Sequence, residues 1–352
     1  MELYNLLKEA VEKQASDIFI VSGLPVSYKL NGVIQPQSNE MIVPEISERL
    51  LTEAYKIADR DMNKVRTTGD DDFSISIKGL SRFRISAYKQ RGSLAAVIRL
   101  VAFDVPHYQE LSIPESIMSI AEKSKGLVLV TGPAGGGKST TLACVIDRIN
   151  STRNAHIITL EEPIEYLHRN KKSVISQREM RADTEGYVTA LRASLRQSPD
   201  VILVGEMRDF ETIKTAMTAA ETGHMVISTL HSVGAANTVD RVIDVFPPNQ
   251  QQQIRVQLSQ LLQTVISQQL VPTVDGKLIP IFEIMHCNSA IRNMIRESKV
   301  HQIDNAINSF GDEGMISMDN YLLDLYKKGV ISSDTAMKYA INADSMERKI
   351  SQ

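Results

Sequence analysis

The run Gly132-Pro133-Ala134-Gly135-Gly136-Gly137-Lys138-Ser139-Thr140 carries the densest chemical signal in this 352-residue chain. It fits the spacing G-x-x-x-x-G-K-[ST], in which glycines let successive backbone N–H groups turn onto phosphate oxygens with no Cβ in the way. The helix that follows points its positive end at the same anion. In such a loop Lys138 reaches the β- and γ-phosphates and the Ser139 hydroxyl ligates Mg²⁺. Hydrolysis also needs carboxylates, to hold the metal's shell and to orient the attacking water. Two stretches offer them. Glu161-Glu162-Pro163-Ile164-Glu165 follows one apolar run, and Gly205-Glu206-Met207-Arg208-Asp209 follows another. Either alone reads equally as a solvated acidic loop. Two histidines, His224 and His231, bracket a further apolar run. His231 closes it at the edge where an imidazole can sense a γ-phosphate, whereas His224, at the far end, equally suits a packed or interface position.

These groups need a scaffold that brings them to one edge. Apolar strands are expected at 127–130, 156–160, 201–205 and 225–230, separated by helical stretches, most clearly at 186–197 and 209–222. Continuous apolar strands alternating with helices indicate a parallel sheet covered on both faces. Ligands bind such sheets at the carboxyl ends of the strands, so the carboxylates belong on strands beside the P-loop strand. This is an α/β, RecA-like P-loop NTPase core. After residue 249 the pattern turns helical, with Ile254, Leu258, Leu261, Leu262, Val265 and Ile266 as one apolar stripe. A strand-like run from Leu278 to Ile284 precedes several short helices.

The first hundred residues read differently. Helical spacing over 2–14 and from Pro44 onward is interleaved with alternating runs. Phe73, Ile75 and Ile77 alternate with serines, and Phe83 and Ile85 alternate with Arg82, Arg84 and Ser86. Asn31-Gly32 is a hairpin signal. Together these indicate a small α+β domain over 1–102. Residues 103–114, with two prolines and neither periodicity, are the expected linker to an ATPase domain over 115–352. Arg82 and Arg84 share one face of a strand, which on these residues alone reads as a solvated basic face.

Composition narrows the function. Hydrophobic content of 43% and charged content of 23% are ordinary for a soluble globular chain. A formal net charge of -3 provides no global basic field, which disfavours a nucleic-acid translocase. No apolar run approaches the roughly 20 residues that span a bilayer, and the N-terminus lacks signal-peptide character. Cys144 and Cys287 stand alone, which argues for a reducing, cytosolic compartment and against a zinc site.

At this point the residues resemble a family, the type IV pilus retraction (twitching-motility, PilT) ATPases within the secretion-type ATPases. The resemblance runs over nearly the whole chain. It rests on Ala15-Ser16-Asp17 with Gly23-Leu24-Pro25, the P-loop, the acidic box at Thr159–Glu165 and the Walker B run at Asp200–Asp209. The histidine box from Ala220 to His231, Asp244-Val-Phe-Pro247 and, most specifically, Ala290-Ile-Arg-Asn-Met-Ile-Arg-Glu297 complete it. The resemblance implies a PAS-like N-terminal domain, ATP with Mg²⁺, and a homohexameric ring. It makes Glu165 the water-activating carboxylate, Glu206 the Walker B acid with Ser139 at the metal, and Glu162 a further metal-shell candidate. His224 and His231 fill the histidine box. Arg82, Arg84 and Arg99 match arginines that approach a neighbouring subunit's nucleotide. It further implies a motor at the inner face of the cytoplasmic membrane, acting on the pilus platform protein, with the assembly ATPase or a second retraction ATPase as further partners. The 290–297 helix would present Ile291, Met294 and Ile295 for docking, or pack as an ordinary amphipathic helix.

The chain departs from the family at Glu162, where Asp is usual, and at Ala134 and Gly136, where Thr and Ser are common. The alternatives are a pilus-assembly or type II secretion ATPase, disfavoured by the absent four-cysteine element, and an accessory retraction ATPase dependent on a second motor.

Overall fold

A computed structural model describes residues 2–30, 32–101 and 105–351. Asn31 of the expected hairpin, and residues 103 and 104 of the expected linker, lie outside the described residues. The chain divides into two compact units. One is Met1–Asp104 with Glu165–Leu167; the other is Val105–Ile164 with His168–Gln352.

The first unit runs α1 (Leu3–Glu12), β1 (Asp17–Ile20), β2 (Ser27–Leu30), β3 (Val33–Pro36), α2 (Pro44–Ile57), α3 (Asn63–Thr68), β4 (Asp70–Ile77), β5 (Ser81–Gln90) and β6 (Ser93–Val101). Its six strands pair antiparallel in the order β3-β2-β1-β6-β5-β4. Alternation sorts their side chains to two faces. Ile18, Phe73, Ile75, Phe83, Ile85 and Ile98 enter one core with Leu3, Leu7, Leu50 and Leu51 of the helices. The other face carries the row Ser74, Arg84, Arg99, Asp17 and Lys29, each opposite the next across β4, β5, β6, β1 and β2.

The second unit runs α4 (Glu115–Met118), β7 (Gly126–Thr131), α5 (Lys138–Thr152), β8 (His156–Glu161), β9 (Val174–Glu179), α6 (Tyr187–Ser194), β10 (Val201–Val204), α7 (Phe210–Glu221) and β11 (Met225–Leu230). It continues through α8 (Ala235–Asp244), α9 (Pro248–Leu261), β12 (Leu262–Pro272), β13 (Leu278–His286), α10 (Ser289–Arg296), α11 (Ile303–Ser309), α12 (Met318–Lys327), α13 (Ser333–Tyr339) and α14 (Ala343–Ile350). Seven strands lie in the order β13-β12-β7-β11-β10-β8-β9, parallel except for the antiparallel edge pair β12–β13. The sheet is therefore mixed, not wholly parallel as expected. Along β7, Leu127 and Leu129 face a core with α7 and α8, while Val128 and Val130 face one with α5. This double burial explains why the strand is a continuous apolar run.

The apolar stripe after residue 249 is only half helix. The helix stops at Leu261, and Leu262–Pro272 is β12, filling the place beside β7. Thr264, Val265 and Ile266 are β-branched at three consecutive positions, which suits a pleated strand better than a helix. Their spacing from Leu258 and Leu261 mimics helical periodicity, so the apolar stripe runs unbroken through the junction of helix and strand. Edge strand β9, with a mostly half-buried pattern, has no clear period and was not expected.

Candidate active site

The P-loop leaves the end of β7, turns at Pro133–Gly136 through a Gly136 N–H to Pro133 carbonyl bond of 3.1 Å, and enters α5 at Lys138. Its glycines answer to a neighbour that the motif does not mention. A Cβ on Gly132 would stand 2.0 Å from the Gln268 backbone oxygen, and one on Gly137 would stand 2.8 Å from Gln268 Nε2. Both have positive φ, 138° and 82°. Gln268, on β12 and buried, also accepts a 2.8 Å bond from Thr141 Oγ1 through its side-chain oxygen. A strand from 130 residues downstream thus moulds the loop. Lys138 is buried and donates to the Gly132 and Pro133 carbonyls at 2.8 Å each. Ser139 and Thr140, in the first turn of α5, are half-buried. Beside them lies a cavity of about 280 Å³ whose walls include Leu111, Thr140, Thr141, Leu270, Ile279 and Pro280. A largely apolar cavity against a phosphate loop suits the flat base of a nucleoside.

Next to β7 is β11, with Leu230 opposite Thr131, so His231 stands at the level of Gly132. One strand further is β10, which ends just before Gly205 and Glu206. The acidic strand is therefore separated from the P-loop strand by β11, a correction to the expected adjacency. Two strand spacings, about 10 Å, leave room there for a phosphate and a hydrated ion. Glu206, with 14% of its side chain exposed, is engaged at both oxygens: Oε2 lies 3.1 Å from His231 Nε2, and Oε1 pairs with Arg208. Beyond it, at the end of β8, Glu161 accepts from Thr159 Oγ1 at 2.6 Å and Gln177 Nε2 at 3.2 Å. Glu162 pairs with Arg181 at 3.0 Å.

Tyr187, which the sequence reading missed, opens α6 among these carboxylates. Its hydroxyl would lie 2.8 Å from a Cβ on Gly205, so that position is kept clear for the phenol. Burial, then the fields of Glu206, Glu162 and Glu161, raise its pKa well above the ordinary phenol value. It stays a proton donor. The only sequence signal was the glycine directly before Glu206.

The second unit by itself brings together Lys138, Ser139, Glu206 and His231. It does not bring His224, whose Nδ1 contacts the Ala219 carbonyl at 2.9 Å and Thr222 Oγ1 at 3.1 Å at the end of α7. The His224 carbonyl accepts from Gly126 N–H at the start of β7, the opposite end of the sheet. Nor does it hold Glu165, which is exposed and falls in the Glu165–Leu167 segment of the first unit. In that unit Arg84 and Arg99 are directly opposite each other. Arg99 Nε donates to Asp17 Oδ1 at 2.9 Å and Arg82 Nη1 to Ser76 Oγ at 3.2 Å. Among the described residues Arg84 makes no ion pair. Like charges directly opposite on a sheet are unfavourable, so this face is not built for stability.

The 290–297 helix is a packing element. Ile291 and Ile295 are fully buried in the core and Met294 packs against it. Arg292 Nη1 donates to the Ser259 and Gln260 carbonyls at 2.7 Å each, closing the carboxyl end of α9. The expected docking stripe is core.

The family model described as "Type II/IV secretion system protein" matches residues 2–279. The chain is 42% identical over 341 residues to the type IV pilus retraction ATPase PilT of Pseudomonas aeruginosa, covering 97% of this chain and 98% of that one. It is 48% identical over 276 residues to a twitching motility protein of Neisseria gonorrhoeae, covering 78% of this chain and 74% of that one. A crystal structure of the pilus retraction motor PilT with bound ADP superposes with a TM-score of 0.90 at 41% identity, covering 99% of both chains.

Proposed function

The chain belongs to the type II/IV secretion system protein family, as a pilus retraction ATPase of the PilT branch, and on that premise we propose that it works as a homohexameric ring. In this reading the RecA-like second unit holds ATP and the PAS-like first unit completes a neighbour's site. The observation that carries it is the division of charge: Lys138, Glu206 and His231 gather at one sheet edge, while Arg84 stands opposite Arg99 with no ion pair among the described residues.

The P-loop N–H groups bind the phosphates, and Lys138 Nζ turns from the Gly132 and Pro133 carbonyls onto the terminal ones. The 280 Å³ cavity takes the base. Glu165 takes a proton from the attacking water. His231 Nε2 reports the γ-phosphate to Glu206. Arg84, with Arg82 and Arg99, stabilises the transferring phosphoryl group from the next subunit, a device worth roughly 10³–10⁵ in rate in GTPases. Ser139 Oγ and a Glu206 oxygen are the hard donors that suit Mg²⁺, and two such ligands plus phosphates are what this ion takes at nucleotide sites. When bound, Mg²⁺ neutralises charge across the β- and γ-phosphates. Glu162, which follows β8, one strand further from the P-loop strand than β10, is a weaker candidate for that shell.

No helix among the described residues is long and apolar enough to cross a membrane. We further propose, from the family alone, that the motor acts from the inner face of the cytoplasmic membrane on the pilus platform protein, and that a nucleotide-driven hinge motion supplies the stroke. Native mass spectrometry with ATP, paired with a phosphate-release assay, tests the reading. Six copies and turnover are expected; a monomer under turnover conditions would contradict the ring.

A further inference from the structure

A buried polar chain runs from the P-loop strand to the carboxyl-terminal helices, and a single carboxylate closes it. Thr131, the last residue of β7, lies opposite Ser267 of β12, which lies opposite Glu283 of β13. Ser267 is fully buried and Glu283 is 2% exposed. Ser267 Oγ accepts from Gly234 N–H at 2.9 Å. Glu283 Oε1 accepts from Ala235 N–H at 2.6 Å, in the first turn of α8. Glu283 Oε2 faces Met318 N–H, in the first turn of α12, at 3.4 Å. One carboxylate thus serves two helix N-termini, where unpaired N–H groups and the helix dipole favour negative charge. Burial raises its pKa, and the two backbone N–H groups oppose that rise.

Only residues 231–234 separate β11 from α8. Ser232 Oγ lies 2.9 Å from Thr238 Oγ1, which itself donates to the Gly234 carbonyl at 2.7 Å. Any shift of His231 must therefore be absorbed in a short segment whose far end is held by Ser267 and Glu283. On the other side, the start of α12 is held to β13 by paired backbone bonds between Ile284 and Ile316, of 2.8 and 3.1 Å. From α12 onward, Met318, Leu322, Leu325, Ala336 and Met346 pack as one cluster on Val271 and Ile281.

The geometry points to Glu283 as a positioning residue of the phosphate site, which sets the His231 loop and couples it to the docking of α12–α14. A buried carboxylate that lost either helix would be left under-paired, so the two helix starts hold or release together. The inference rests on the ATPase reading above. The C-terminal helices then respond to the state of the nucleotide without touching it.

The test uses the full chain and the Glu283→Gln variant, which keeps the shape and one acceptor but removes the charge. Turnover should fall about tenfold with KM for ATP within about twofold, since the P-loop contacts are untouched. Hydrogen exchange with and without ADP provides a readout that simple destabilisation would not mimic. In the wild-type chain ADP should slow exchange at 132–139, 231–236 and 318–322. In Glu283→Gln the slowing at 132–139 should remain and that at 318–322 should vanish. Wild-type kcat together with unchanged protection at all three segments would overturn the proposal. Should Glu283→Gln fail to fold, Ser267→Ala decides: faster exchange at 233–236 with turnover lowered about two- to fivefold supports it, and wild-type behaviour in both overturns it. A wild-type chain that bound ADP but turned over no ATP would remove the ATPase reading, and the exchange comparison would still decide the coupling.

Discussion

The phosphate end of the second unit and the arginine row of the first are both charged, yet they are built on opposite principles. At the phosphate end the charges are partnered within their own unit: Lys138 on two carbonyls, Glu206 on His231 and Arg208. In the arginine row Arg84 and Arg99 oppose one another across neighbouring strands, and Asp17 answers only Arg99. The same unit can pair charge well, since buried Asp71 takes Arg60, Lys64 and the Tyr55 hydroxyl. A face left unbalanced in a unit that holds such a network is suited to an anion that the unit does not itself supply.

Breaking the phosphate end should have the largest effect. Lys138→Ala removes the one mobile cation of the loop and should lower turnover by about 10²–10³-fold or more in a phosphate-release assay. Gly132→Ala drives a Cβ into the Gln268 carbonyl at a positive φ. It should cost roughly 2–4 kcal/mol, read as a fall in Tm, with nucleotide binding lost as the loop deforms.

A pH series sharpens the same contrast, because the second unit also holds a histidine whose burial outweighs the charge that favours its protonation. His168 is pushed down to about 4 by burial, with Asp147 opposing and Lys171 assisting. The unfolded chain binds this proton near pH 6.5 and the folded chain only near 4, so stability falls as pH drops through that window. The loss should approach roughly 3 kcal/mol by pH 4 and be absent above about 6.5. His168→Gln should flatten that part of the Tm-against-pH curve. The smallest effect is expected far from both regions. Arg292→Ala uncaps α9 and should cost roughly 1–2 kcal/mol of stability, read as a fall in Tm, with turnover little changed; a large loss of turnover at unchanged Tm would restore a docking role to this helix.

Much of this architecture was legible in the residues. The positions of the P-loop, Glu206 and His231 were readable because each sits where an apolar run stops, and a parallel sheet gathers its strand ends on one edge. The antiparallel first unit was legible from alternation. What escaped was non-local. Gln268 looks like a polar residue in a misread helix until β12 is laid beside β7, and Tyr187 matters only because Gly205 makes space for it. Ile291 and Ile295 carried the right amphipathic pattern, but a sequence cannot say whether such a stripe faces a partner or its own core. The arginine face was visible as a pattern, and its opposed pairing became evident only with the strand register.

In the proposed ring a phosphate site in one subunit is completed by the arginine face of another. Mixing subunits tests it most directly, with Glu206→Gln spoiling the second unit and Arg84→Ala spoiling the first. Glu206 is the better choice than Glu165, which falls with the first unit. Arg84→Ala alone should keep or slightly raise stability, by about 0.2–1 kcal/mol read as an unchanged or higher Tm, as a like-charge contact is relieved, while its turnover collapses. Each variant alone should be nearly inactive, and an equimolar mixture should regain about a quarter of wild-type turnover, because half of the second units meet half of the first units intact. Mixed rings that form but stay at background turnover would contradict the account.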